Sequence, residues 1–199
     1  MDINEAKKIA KETLTYERYY HTGCVAAAAK YLAETLSYDT QKAQVAAYLH
    51  DIAKEFKKAD LLQMIEASDI IELANFLDCP SVWHSFAGAE YARKVLNVDK
   101  KIAGAICYHT TARADMTMLE KIIFLADSIS ADREYTYVDE IREILYSDEL
   151  NLEVLDKAIL FTLEKQITRL IHEKRQIHYL SIKAYNFYAK NMNINGDNK

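Results

Sequence analysis

Six histidines stand in the chain, and four of them, His21, His50, His84 and His109, fall near the ends of separate helical segments. Asp51 follows His50 directly, and Asp127 lies in a fifth helical segment. Imidazole nitrogens and carboxylate oxygens make the mixed donor set that suits iron, manganese, cobalt or zinc. Adjacent helix positions point about 100° apart, so one ion held by both His50 and Asp51 must sit at a helix edge. By itself the dipeptide reads first as a core histidine bonded to its neighbour. His21, His50, Asp51 and Asp127 together supply two imidazoles and two carboxylates. His84 and His109 leave two alternatives open: a second ion bridged by Asp51, or hydrogen bonds to a phosphate, which is the favoured one. Lys54, a turn beyond His50, puts a cation on the same face, where a phosphate would lie.

The elements that must position these groups read as helices. With 4 Gly and 1 Pro in 199 residues, a sandwich or barrel lacks its turns. Helices are expected at about 3–14, 21–36, 41–54, 60–77 (with a break near Ser68-Asp69), 82–96, 100–109, 117–130, 137–146, 151–173 and 178–192. Asp39 or Thr40 caps the third, and Thr117 with Glu120 forms a capping box. Tyr16 to His21 reads as the exit of one helix or the start of the next. The 14 tyrosines fall mostly at helical spacing, so packing is their default role, and none is assigned to a nucleobase. Cys107 reads as a buried apolar neighbour of His109.

Three cysteines, Cys24, Cys79 and Cys107, form no close pair, which fits a reducing compartment. The N-terminus lacks a basic and then apolar leader, and no apolar run reaches the roughly 18 residues of a membrane span. The expectation is a cytoplasmic protein with no membrane partner. A net charge of −5 argues against a nucleic-acid partner, which usually needs a basic face, but not against a small anion held by a few local cations.

The ordered segments Arg18-Tyr19-Tyr20-His21-Thr22, Leu49-His50-Asp51-Ile52-Ala53-Lys54, Trp83-His84, Tyr108-His109-Thr110-Thr111, Met116 to Lys121 and Leu125-Ala126-Asp127 through Arg133 resemble the HD-domain metal-dependent phosphohydrolases. The resemblance is closest to the YqeK family of symmetrical bis(5′-nucleosyl)-tetraphosphatases. Ser130 stands where that family has a carboxylate, and His172-Glu173-Lys174-Arg175 lacks the glycine expected near that turn.

The resemblance implies an all-α helical bundle with a metal site at converging helix ends. It implies one HD-type domain over residues 1–199, with its core at 18–133, helices 137–192 packed on it and a frayed tail at 193–199. It implies His21, His50, Asp51 and Asp127 as metal ligands, for iron first and manganese, cobalt or zinc otherwise, with one ion or two. Asp51 and His109 would be catalytic, His109 as general acid for the leaving phosphate. His21, Lys54, His84, His109, Thr110, Asp127 and Arg133 would meet the substrate, Thr110 and Arg133 as phosphate donors. Arg18 would either reach the pocket or pair with Glu17 or Glu34, and Arg113 and Lys121 would be surface charges. The implied reaction is cleavage of diadenosine tetraphosphate to two ADP by metal-activated water. A nucleotidase on another phosphorylated nucleotide and a non-catalytic helical module are the alternatives. A homodimer would use the Tyr-rich C-terminal helices.

Overall fold

Nine of the twelve residues of one helix, Met118–Ile129, are buried, seven of them apolar, and the other helices are arranged around it. A helix that is hydrophobic on all sides has to be enclosed. In a computed structural model, which describes residues 1–68, 79–146 and 150–196, this helix is α7. Before it come α1 (Ile3–Thr13), α2 (Tyr16–Thr35), α3 (Thr40–Leu49), α4 (Lys58–Glu66), α5 (Trp83–Lys94) and α6 (Lys100–Tyr108). After it come α8 (Val138–Leu145), α9 (Leu152–His172) and α10 (Tyr179–Gly196). No strand occurs among the described residues. The expected helix beyond Ser68, up to Leu77, and the tail from residue 197 lie outside the described residues.

The packing follows from residue size. Val25, Ala26, Ala29, Leu32 and Ala33 of α2 meet Ala43, Val45, Ala46, Ala47 and Leu49 of α3, all buried. Alanine on both sides lets two backbones approach closely, so buried polar side chains at the helix ends are drawn together. α7 packs on α2, α3, α6, α8 and α9, and α10 packs on α9. The helix starts obey local chemistry: Asp2, Thr15, Asp39, Asp99 and Asn151 each accept a backbone N–H in the first turn. The Thr117–Glu120 capping box forms as its sequence predicts.

Of the two readings of Tyr16 to His21, the start of the next helix is the one formed, because Thr15 caps α2 there. Two expectations need correction. Helix α4 starts at Lys58, with Asp60 inside its first turn instead of capping it. The third helix stops at Leu49, and residues 50–55 continue as tighter turns, with Ile52 N–H bonded to Leu49 O and Lys54 N–H to Asp51 O. No Gly or Pro marks that change, so it is set by packing and not by a local breaker.

Candidate metal centre

The tightening after Leu49 is what aims two adjacent side chains inward. His50 is completely buried, and its Nδ1 donates to Ala47 O at 2.6 Å. That bond fixes the proton on Nδ1 and leaves the Nε2 lone pair facing the centre. His109, the residue after α6, is held the same way, with Nδ1 donating to Ile106 O at 2.7 Å. His21, in the second turn of α2, is 2.7 Å from Asp132 Oδ2 through Nδ1 and 3.0 Å from Asp127 Oδ1 through Nε2. Asp127 comes from the last turn of α7 and His84 from the first turn of α5.

These groups form two overlapping triads, His21–His50–Asp127 and His50–Asp51–His109. Within each, one donor atom per residue lies within 4.8 Å of the others. His50 Nε2 is 3.9 Å from Asp51 Oδ2 and 3.9 Å from Asp127 Oδ1. His84 Nε2 and His109 Nε2 stand 3.2 Å and 3.6 Å from Asp51 Oδ1. His50 Nε2 and Asp51 Oδ1 have no hydrogen-bond partner among the described residues. Lone pairs and carboxylate charges thus face one another in a dry interior, where unpaired polar groups are costly. A divalent cation would satisfy them together, so the donor set fits a metal.

The electrostatics point the same way. Burial, which would raise it, is outweighed at Asp51 by His50, His109, His84 and Lys54, so its carboxyl sits well below the usual range. Asp127 is likewise held low against burial by His21 and Arg133. Burial pushes His50 and His84 each down to about 4, keeping both rings neutral as ligands must be. At His21 burial pulls down, but the Asp127 hydrogen bond and charge prevail and raise it.

Cations surround the cluster. Arg133 Nη2 bonds Asp127 and lies 3.4 Å from His21 Nε2, while its Nε donates to Asp127 O at 2.9 Å. Arg18 Nη1 reaches Asp51 Oδ2 at 3.3 Å, so it joins the pocket and does not turn to Glu17 or Glu34. Lys54 Nζ is 3.0 Å from His84 Nε2 and 3.6 Å from Asp51 Oδ1. Thr110 Oγ1 is 3.0 Å from His109 Nε2. The candidate site residues His21, His50, Asp51, Lys54, His84, His109, Thr110, Asp127 and Arg133 therefore lie together at this one place, with Arg18 beside them. The cluster opens into a cleft of about 330 Å³.

Other residues were missed. Asp132 grips His21, and Ser130 Oγ donates to Asp132 Oδ1 at 2.7 Å. The carboxylate absent at position 130 is thus supplied two residues later, a signal visible in Ser130-Ala131-Asp132-Arg133. The far wall of the cleft comes from Tyr135, Tyr137 and the end of α9 through Arg175, Gln176 and His178, none of them assigned from the sequence. Lys121 and Arg113 are not free surface charges. Lys121, largely covered, ties α7 to Asp156, and Arg113 pairs with Glu120 at 2.8 Å. Cys107 is buried, and burial pushes its thiol up to about 12, which leaves it inert. On α10 Tyr188 is buried and Tyr179 and Tyr185 are half-buried, while the exposed tyrosines are Tyr16, Tyr20 and Tyr31 on α2 with Tyr146 after α8. No helix among the described residues is long and apolar enough to cross a membrane.

Comparison with known proteins adds four findings. The model of the family described as "HD domain" matches residues 18–132. The chain is 34% identical to the symmetrical bis(5′-nucleosyl)-tetraphosphatase of Bacillus subtilis (strain 168), covering 94% of this chain and 97% of that one. It is 33% identical to the enzyme of the same description from Staphylococcus aureus, with 94% and 95% covered. A crystal structure from Clostridium acetobutylicum, described as a "predicted HD superfamily hydrolase involved in NAD metabolism", superposes with a TM-score of 0.82 at 30% identity, covering 94% of this chain and 97% of that one.

Proposed function

The chain belongs to the HD-domain family and, within it, to the symmetrical bis(5′-nucleosyl)-tetraphosphatases, and from that premise we propose that it hydrolyses diadenosine tetraphosphate to two molecules of ADP. The carrying observation is that the imidazole–carboxylate cluster opens into a cleft lined by five cations, Arg18, Lys54, Arg133, Arg169 and Arg175. A single phosphate needs one or two such partners. A chain of four phosphates, each bearing a negative charge, matches the larger set.

His21, His50, Asp51 and Asp127 would hold the ion, iron foremost, with His109 and His84 available to a second beside Asp51. When bound, the ion supplies Lewis acidity, acidifying a water and polarising a phosphoryl oxygen. Arg133, Arg18 and Lys54 draw the polyphosphate in and spread its charge. Water oxygen bonds to one of the two central phosphorus atoms, and the bond from that phosphorus to the bridging oxygen breaks. The electron pair leaves with that oxygen on the second diphosphate, one water proton ends on it, and the other passes to solvent. His109, with its Nδ1 proton committed to Ile106, presents a lone pair inward, which supports its reading as a ligand above that of general acid. Lys54, whose pKa burial lowers against the pull of Asp51, stands beside His84 and Asp51 as a donor to the polyphosphate. Thr110 donates to substrate phosphate beside it.

The reading places the protein in the cytoplasm, acting on a free nucleotide and not on nucleic acid or membrane. A homodimer would use the C-terminal helices, where Ile171 and Ile182 are exposed. The deciding experiment is a substrate panel with manganese- or iron-loaded protein. The account expects diadenosine tetraphosphate to be turned over fastest, and a mononucleotide preferred over it would move the assignment to the nucleotidase alternative.

A further inference from the structure

The far wall of the cleft has its own construction. Gln166, Ile167, Arg169 and Leu170 line it at the spacing of one helix face near the end of α9. The helix then closes in a left-handed turn at Lys174, with Arg175 N–H bonded to Leu170 O, which brings Arg175 to the same wall. Arg133 and Arg169 both place their guanidinium carbons over the Tyr135 ring, 5.6 Å and 5.0 Å from its centroid. An aromatic ring shared by two guanidinium groups holds both in fixed planes. Arg133 also touches Asp127 in the ion cluster, so Arg169 is the next cation outward, one ring away. Arg169 Nε is buried and has no hydrogen-bond partner among the described residues. Its Nη1 lies 4.0 Å from Glu173, whose other oxygen is 3.2 Å from Arg175.

This geometry bears on where the substrate is cut. Symmetrical cleavage requires the two central phosphorus atoms, and no others, to lie at the ion cluster. Some group must therefore measure two phosphates from one nucleoside end. We propose that the Arg133–Tyr135–Arg169 array is that measure, and that Arg169 is a specificity-determining residue. Arg133 takes the phosphate beside the cluster, and Arg169 takes the phosphate next to the nucleoside, displacing Glu173. Arg175 closes the outer end. This rests on the tetraphosphatase reading above and adds the register of the cut.

The test uses the full-length Arg169→Gln and Arg169→Lys variants with manganese-loaded protein and diadenosine tetraphosphate, separating products by anion exchange. For Arg169→Gln, kcat/KM on the tetraphosphate should fall roughly 10- to 100-fold, mostly through KM. The penalty on a one-phosphorus ester should be at least tenfold smaller. AMP plus ATP should appear beside ADP as the register loosens. Calorimetry on the metal-free protein should show ADP bound about tenfold more weakly. Arg169→Lys, which keeps the charge but loses the fork, should fall between. Unchanged helical circular dichroism checks the fold. Equal penalties on both substrates, with ADP still the sole product, would overturn the assignment of Arg169 and leave the tetraphosphatase reading intact. AMP plus ATP from the unaltered protein would overturn both.

Discussion

The two ends of the cleft solve opposite problems. At the inner end, His50 is wholly buried and His21, Asp51, His84 and His109 nearly so, and backbone carbonyls or carboxylates fix the ring orientations. At the outer end Arg175 and Gln176 are exposed, and the wall hangs on one helix terminus and one turn. An ion demands fixed donors in a dry site, and the fixing costs stability whenever the ion is absent. A polyphosphate demands charge on side chains that can adjust. Damage at the inner end should therefore strike chemistry and metal retention, and damage at the outer end should strike binding and register.

The sharpest separation comes from the carboxylates. Asp51→Ala and Asp127→Ala should each lower kcat by about 10³-fold or more while circular dichroism stays helical. A variant retaining near-normal turnover would break the comparison, because the inner end would then not be the chemical one. Asp132→Asn is next. It keeps the shape of the side chain against His21 but not its charge, and metal affinity measured by chelator competition should drop roughly 10- to 100-fold. Substitution of Ser130 by Ala should weaken it less, since Ser130 acts only through Asp132.

The pH response of the metal-free protein sharpens the contrast further. His50 and His84 titrate near 4 in the folded chain and near 6.5 when unfolded. The stability they contribute is complete above about pH 6.5 and is lost as pH falls towards 4. His21, raised in the fold, works the other way: its stability is complete below about pH 6.5 and is lost as pH rises above that, so it does not alter the slope between about 6.5 and 4. Asp51 and Asp127, both lowered, keep their contribution until pH falls below the ordinary carboxylate range. Denaturant titrations should show a net loss of a few kcal/mol between pH 6.5 and 4, and His50→Gln should flatten it. The smallest effect belongs to the outer end. Lys174 occupies a left-handed conformation with φ 53°, which a side chain adopts at a cost, so Lys174→Gly should stabilise the fold by about 0.5–1 kcal/mol.

The same division explains what could be read from the residues alone. Metal ligation draws on a few residue types, and their order along the chain, His21, His50-Asp51, His84, His109, Asp127, survives without coordinates. The helices were legible where a cap or breaker marks them, as at Asp39, Thr117 and Asn151. They were not legible at Leu49, where packing alone stops the helix. Arg169 and Arg175 carry no such mark, for arginines near a helix end are ordinary surface residues. Their meaning arises only when α9 sets Arg169 over Tyr135 and the turn at Lys174 brings Arg175 to the same cleft. Asp132 lies between these cases: Ser130 shows in the sequence that a carboxylate is missing, but only the fold of the loop brings Asp132 to His21 in its place.

The central claim is that side chains from positions 21, 50, 51 and 127 hold one divalent cation and cut the tetraphosphate at its middle. The most direct measurement is to count the products of diadenosine tetraphosphate with metal-loaded protein, before and after chelation. Two ADP per substrate, abolished by chelator and restored by added iron or manganese, is the predicted result. Turnover indifferent to chelation, or AMP with ATP in place of ADP, would contradict it.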